Sequence, residues 1–229
     1  MDEAKKEETQ NEQKYSLDSK KVDRQVATLI ILLVLMFALF IGIYYYNNKV
    51  KNGPYAFDYN GYEVIFLNQG NGPVYKLKVF VRDSVEPSYI TLRRDPRDID
   101  DIPIQINKED VLAKSRLYIT MHPTNLTSTS ILAGAEISKI TGNQYLFGIP
   151  TTGAVILPVE WKVADVRTCT DVTNQVGIIL LQLGSENKVY SDEGGCVIVQ
   201  GITEENLIDG ANLLDLYLLG VVKWTLKFW

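Results

Sequence analysis

The chain is poor in the side chains that most often do chemistry. It has one histidine, His122, and two cysteines, Cys169 and Cys196. No Cys-x-x-Cys or Cys-x-x-His spacing joins them, and a tetrahedral metal site needs more ligands than these can give. The expectation is therefore no metal. A Ser/His/acid triad must use His122 or none, and no Gly-rich phosphate loop, G-x-G-x-x-G, G-x-x-x-x-G-K-[ST] or G-x-S-x-G accompanies it. No cofactor is implied. An excess of positive charge is also missing: 23 Lys and Arg stand against 28 Asp and Glu, a formal net charge of -5. Phosphate backbones require a concentrated basic face, so nucleic acid is excluded as the main partner. Internal repeats and extended low-complexity linkers are absent as well.

What the chain does have is a long apolar run. From Ala27 to Tyr46 it reads ATLIILLVLMFALFIGIYYY, with no charge between Arg24 and Lys49. About 20 such residues cross a hydrocarbon core of roughly 30 Å as a helix. A buried core helix would show a polar face, and a cleaved signal peptide would have a shorter run followed by a small-x-small site. Neither pattern is present, so residues 27–46 read as an uncleaved signal anchor held in the lipid bilayer. Lys14, Lys20, Lys21 and Arg24 precede the span, whereas Lys49 and Lys51 follow it. The positive-inside rule then keeps the N-terminus in the cytoplasm and exports everything after about Asn47, with Tyr44, Tyr45 and Tyr46 at the outer interface. Two exported thiols meet an oxidising compartment, which makes a Cys169–Cys196 disulfide the default. Within the span Ala38 and Gly42 stand four apart, a spacing that permits close helix approach and a homodimer.

The fold class expected is α/β, with α+β as an alternative: a transmembrane helix followed by an extracytoplasmic domain. Residues 1–26 have the composition of a disordered cytoplasmic tail that solubilises the chain or serves as a docking peptide. Residues 47–107 form a β-rich start. GYEVIFL and VYKLKVFVR flank a Gly, Asn and Pro cluster as a hairpin, with Tyr75, Leu77, Val79 and Val81 on one face, and YITLR is a third strand. Residues 108–229 alternate element types. NKEDVLAKS is a short helix capped by Asn107, RLYITM a buried strand, STSILAGAEISKITG a helix capped by Ser128 or Thr129 and ended by Gly142, and YLFGI a short strand. VGIILLQL and CVIVQG read as strands, the first covered on both faces. TEENLIDGANLLDLYLLG is an amphipathic helix capped by Thr203, with Leu207, Ala211, Leu214 and Leu218 at helical spacing. The order implies some parallel pairing. KWTLKFW alternates as a terminal edge strand or, with its Trp and Lys, as a foot on the membrane surface.

The loop His122 to Ser130 is the most enzyme-like place, because it joins a parallel strand to a helix N-terminus, where ligands tend to sit in α/β folds. His122 is the candidate general base or ligand-orienting group, and Thr127, Ser128, Thr129 and Ser130 are candidate ligand hydroxyls. The competing reading is a capped loop whose hydroxyls satisfy backbone donors. Asn125-Leu126-Thr127 is a glycosylation sequon, so Asn125 is a possible glycan site. Asp95, Asp98, Asp100 and Asp101 lack EF-hand spacing and alternate with Arg93, Arg94 and Arg97, which reads as a self-neutralising turn.

FGIPTTG, the paired cysteines and GGCVIVQGITEENLIDGANLLDLYLLG, within Arg116 to Val222, resemble uncharacterised archaeal membrane proteins with one N-terminal span and an exported α/β domain. The resemblance implies an archaeal cell-surface setting and no activity. The expectation that follows is a signal-anchored cell-surface protein, not an enzyme, whose exported domain binds or scaffolds another envelope component. The alternative is an exported enzyme or small-ligand receptor using the His122 to Ser130 loop. An open strand edge or exposed apolar patch favours the first, and a pocket lined by that loop favours the second.

Overall fold

The computed structural model describes residues 25–46, 55–69, 72–80, 86–125, 127–158 and 164–222. The chain divides into two compact units, Met1–Gly53 and Pro54–Trp229. In the first, helix α1 (Gln25–Tyr46) runs for 22 residues with a mean hydropathy of 3.1 over its most apolar window. At the α-helical rise it is about 33 Å long, so by length and composition it can cross a membrane. Ala38 and Gly42 share one of its faces. The cytoplasmic tail and the flanking Lys14, Lys20, Lys21, Arg24, Lys49 and Lys51 lie outside the described residues, as does KWTLKFW.

The second unit mixes helices with two sheets. Strands β1 (Tyr55–Tyr59), β2 (Tyr62–Gln69), β3 (Gly72–Val79) and β4 (Ser88–Leu92) form an antiparallel meander. Asn60 and Gly61 join β1 to β2 with φ of 53° and 84°, the left-handed pair that a two-residue hairpin turn demands. The expected hairpin of β2 and β3 is present, and Val64, Phe66, Leu77, Val79, Ile90 and Leu92 form the buried face.

The other sheet has the order β5-β9-β10-β8-β6-β7, formed by β5 (Ile104–Gln105), β6 (Arg116–Met121), β7 (Thr151–Val155), β8 (Val176–Leu183), β9 (Lys188–Ser191) and β10 (Val197–Gly201). Strands β10, β8, β6 and β7 are mutually parallel, and β9 runs antiparallel to β10. The expected parallel pairing is thus observed. Helix α2 (Glu109–Leu112) precedes β6, α3 (Ser128–Thr141) links β6 to β7, and α4 (Glu204–Leu218) follows β10. A single hydrophobic core joins the meander, the inward residues of the second sheet, α3 and α4. On the opposite face of the second sheet a smaller cluster of Tyr118, Ala154, Ile178, Cys196 and Ile198 packs against Cys169 and Val172. No helix covers that face among the described residues. Instead a 3-10 turn, Cys169–Asp171, is fastened to the start of β10 by the Cys169–Cys196 disulfide, with Cα atoms 5.2 Å apart. A disulfide suggests an oxidising compartment.

Several local expectations are corrected. YLFGI is a turn, not a strand: Asn143 Oδ1 accepts the Tyr145 N–H at 2.9 Å, the Asn143 carbonyl accepts the Gly148 N–H at 2.8 Å, and Gly148 has φ +66°. The strand starts later, at Thr151. Helix α3 is capped by Thr127, one residue before Ser128 and two before Thr129. Helix α2 is only four residues long with Lys108 at its cap position, although Asn107 Oδ1 does accept the Glu109 N–H at 3.2 Å. Among the acidic-run arginines only Arg97 pairs locally, with Asp95, while Arg93 and Arg94 reach Glu136, Glu205 and Asp209 on α3 and α4. Burial would raise Asp95, but the Arg97 hydrogen bonds win and hold its carboxyl below the usual range.

Because the disulfide closes a 27-residue separation, replacing both cysteines with Ser should lower stability by about 3 kcal/mol in the chain-entropy account. Urea unfolding of both proteins measures this; equal midpoints would show that the second face is held by packing alone.

Candidate functional site

The parallel strands β6, β8 and β10 end together, and the His122–Ser130 loop leaves from that rim. His122 is half-buried. Its Nδ1 accepts the Thr124 backbone N–H at 3.2 Å and lies 2.6 Å from Thr124 Oγ1. Accepting a backbone N–H fixes Nδ1 as the unprotonated nitrogen and leaves the proton on Nε2. Pro123–Asn125 then forms a 3-10 turn, and Leu126, the middle residue of the sequon, lies outside the described residues. Thr127 Oγ1 accepts the Ser130 N–H at 3.3 Å and donates to the Glu204 carboxylate in the first turn of α4. Ser130 is fully buried, Thr129 half-buried and Ser128 exposed. The structure therefore brings Thr127 and Ser130 together as a helix cap, and a carboxylate from the chain itself stands at the paired helix N-termini, where an anion would be favoured.

A cavity of about 530 Å³ lies elsewhere, between α3 and the front of β6 and β7. Ile119 and Met121 line it from β6, Ile131, Gly134, Ala135 and Ser138 from α3, and Thr151 to Val155 from β7. No residue of His122 to Ser130 is in that lining. Small residues make the space: α3 turns Gly134, Ala135 and Ser138 towards it, and a Cβ on Gly153 would meet nothing within 4 Å. Ile131, Leu157 and Val166 remain 42 to 49% exposed. β7 is the last strand of its sheet, and among the described residues its outer edge is met only by a parallel bridge between Val155 and Val166. The signal in the sequence was the run Ile131-Leu132-Ala133-Gly134-Ala135, a helix too thinly clad to fill the gap to a strand as poor as TTGAV.

Two other groupings gather titratable side chains. Cys169, Asp192 and Cys196 lie within 4.8 Å of one another. The sulfurs are bonded to each other, and Asp192 Oδ1 accepts the N–H groups of Gly194 and Cys196 at 2.9 and 2.8 Å. That carboxylate shapes the turn before β10. The second grouping lies between α3 and α4. Glu136 accepts from Arg93 Nε at 3.0 Å, Lys139 Nζ at 2.5 Å and Asn212 Nδ2 at 3.3 Å. One turn on, Asp215 is fully buried, and neither of its oxygens has a hydrogen-bond partner among the described residues. Desolvation pushes its carboxyl well above the usual range; Lys139 opposes and Glu136 adds to the rise.

No protein-family profile, curated protein or solved structure matches this chain. The reading therefore rests on geometry.

Thr127→Ala should cost about 1 kcal/mol through loss of the α3 cap, read as a lower urea midpoint; an unchanged midpoint would release these hydroxyls for another role. For Asp215 the folded pKa is raised, so its contribution to stability is fully present below the unfolded value near 3.9 and is lost as pH rises through the folded value. Asp215→Asn should accordingly match the native protein in acid and gain on it increasingly as pH rises. Thermal unfolding at several pH values checks the sign, and a constant difference would refute it.

Proposed function

We propose that this is a single-pass, signal-anchored surface protein whose exported domain binds another envelope component, taking an extended segment of that partner into the groove between α3 and β7. The observation that carries the reading is the coincidence of a strand edge with an apolar cavity. An edge strand offers backbone N–H and C=O groups to an incoming chain, and the adjoining space receives the side chains that such a chain projects at alternate positions. The chain's own Val166 pairs in parallel with Val155, the Val155 N–H donating to Asp165 O and the Arg167 N–H to Val155 O, both at 2.9 Å, and this geometry supports parallel addition at the same edge.

The topology belongs to the same proposal. The basic residues before α1 favour a cytoplasmic N-terminus, and the disulfide fits an oxidising compartment for residues beyond it. Ala38 and Gly42 offer α1 a small-residue face on which two copies could pair. Catalysis through His122 has less support, because its Nδ1 is engaged in a turn and the loop does not line the cavity.

Site-specific photo-crosslinking tests the groove. A photoreactive residue at Ile131 should give a discrete adduct in intact cells that is missing from the same probe at Tyr145, which is 81% exposed in the turn after α3. Gly153→Leu, which fills open space, should abolish the adduct while the protein stays folded. Identical adducts at both positions, or an adduct indifferent to Gly153→Leu, would overturn the groove as the binding surface.

A further inference from the structure

On the sheet face opposite α3 and α4, two arginines converge on one phenol. Arg116 and Tyr118 are two apart on β6 and so share this face. Arg116 Nη1 donates to the Tyr118 hydroxyl at 3.4 Å. Arg167 arrives from the segment before the disulfide, with its backbone fixed on both sides: its N–H donates to Val155 O at 2.9 Å, and its carbonyl accepts from Thr120 Oγ1 at 2.8 Å. Its guanidinium lies over the Tyr118 ring, Cζ to centroid 4.7 Å, and its Nε is buried with no acceptor among the described residues.

Among the described residues no ion pair balances these two charges. The ion pairs among the described residues use Arg93, Arg94, Arg97 and three lysines, but neither Arg116 nor Arg167. Asp171 is engaged by the Thr168 N–H and hydroxyl. Asp165 acts on Arg116 through its charge, with no ion pair between them, and is the last among the influences on it. Two like charges held at one phenol, one at its hydroxyl and one over its ring, repel, and the cost is reduced if an anion sits between them. The phenol already registers the field: the Arg116 hydrogen bond first, then Arg167, pull Tyr118 below the usual tyrosine range.

We propose that Arg116, Tyr118 and Arg167 form a binding site for a phosphate-type oxyanion. Guanidinium forks match phosphate oxygens in pairs. Two forks and a phenolic O–H offer more donors than the two oxygens of a carboxylate can use, whereas a phosphate monoester or inorganic phosphate has oxygens for all of them. Two cations do not make a track for a nucleic-acid backbone. The site is separate from the α3–β7 groove and stands or falls without it. Its ligand is either a soluble phosphate or the headgroup of a membrane phospholipid, and the same chemistry serves both.

The full chain, reconstituted in nanodiscs with carbon-13 labelled tyrosine, provides the test. The Tyr118 resonance is assigned by its loss in Tyr118→Phe. In phosphatidylcholine discs, inorganic phosphate should shift that resonance saturably, with Kd on the order of 1 mM. It should also move Tyr118 ionisation to higher pH, because a bound anion opposes the phenolate. Arg116→Gln, at an exposed position, should weaken the response about tenfold or more, as loss of a charged hydrogen bond predicts, without changing thermal unfolding. If phosphatidylglycerol discs raise the ionisation pH with no phosphate added, the headgroup is the source; a response to free phosphate alone assigns a soluble ligand. Silence of Tyr118 in both arms, or an equal response from Arg116→Gln, would overturn the site and leave the arginines as ring-stacking groups.

Discussion

The second unit is organised by one helix whose last nine residues have no solvent face. Every residue of α4 from Gly210 to Leu218 is buried. One side rests on β10, close enough that a Cβ on Gly210 would lie 2.7 Å from Val199 Cγ1, which is why glycine sits at a helix-interior position that it otherwise weakens. Another side carries Asn212, whose Oδ1 accepts the backbone N–H groups of Arg93 and Arg94 at 3.0 and 3.2 Å and so fastens the exit of β4. Tyr217 donates to the Ile106 carbonyl at 3.1 Å and secures the approach to α2. Each fully buried leucine contributes about 1.5–3 kcal/mol of transfer free energy, so Leu207, Leu213, Leu214 and Leu216 together outweigh the cost of enclosing a neutral carboxyl at Asp215.

This centrality was only half legible in the sequence. The period-3.6 recurrence of Leu207, Ala211, Leu214 and Leu218, the Thr203 cap and the acidic first turn specify a helix, and they do so correctly. They specify one buried stripe, whereas the fold buries the remaining sides as well. Asn212 and Asp215 look like solvent residues until the partners are known, and those partners stand at Arg93 and Glu136, far away in sequence. The continuous apolar runs of β6 and β8 were legible because both faces are covered. Strands β1, β5 and β9 were not: β5 has two residues, and KVYS and YAFDY have too few apolar positions for alternation to register. YLFGI misled for the opposite reason, since its apolar content resembled a strand while Asn143 and Gly148 dictated a turn.

The same asymmetry explains why a disulfide is present at all. The front of the second sheet is insulated by α3 and α4, but among the described residues its back carries Tyr118, Ile178 and Ile198 under one 3-10 turn. A turn that short buries too little area to hold itself against the entropy of the long connection that contains it. A covalent tie at Cys169–Cys196 does what a helix does on the other face. It also delivers Arg167 to Tyr118, so the layer that completes the core sets the electrostatics of the back face. Further along the sheet the exposed side turns polar, with Gln182 Nε2 donating to Gln200 Oε1 at 3.0 Å.

Perturbed titration is usually a guide to a reacting centre, yet here the guide and the accessible space separate. Asp215, the most strongly shifted carboxyl, is enclosed between helices and lines no part of the α3–β7 cavity. That cavity is bounded by aliphatic carbons and by the hydroxyls of Ser138, Thr151 and Thr152, with Asp165 the one charged residue in its lining. Such a lining can discriminate shape and satisfy a peptide backbone. This division is what the binding role proposed above requires. The titratable groups fix α3, α4 and the β4 exit against one another, and the frame they create holds the edge of β7 beside the cavity, the arrangement on which the proposed binding role depends.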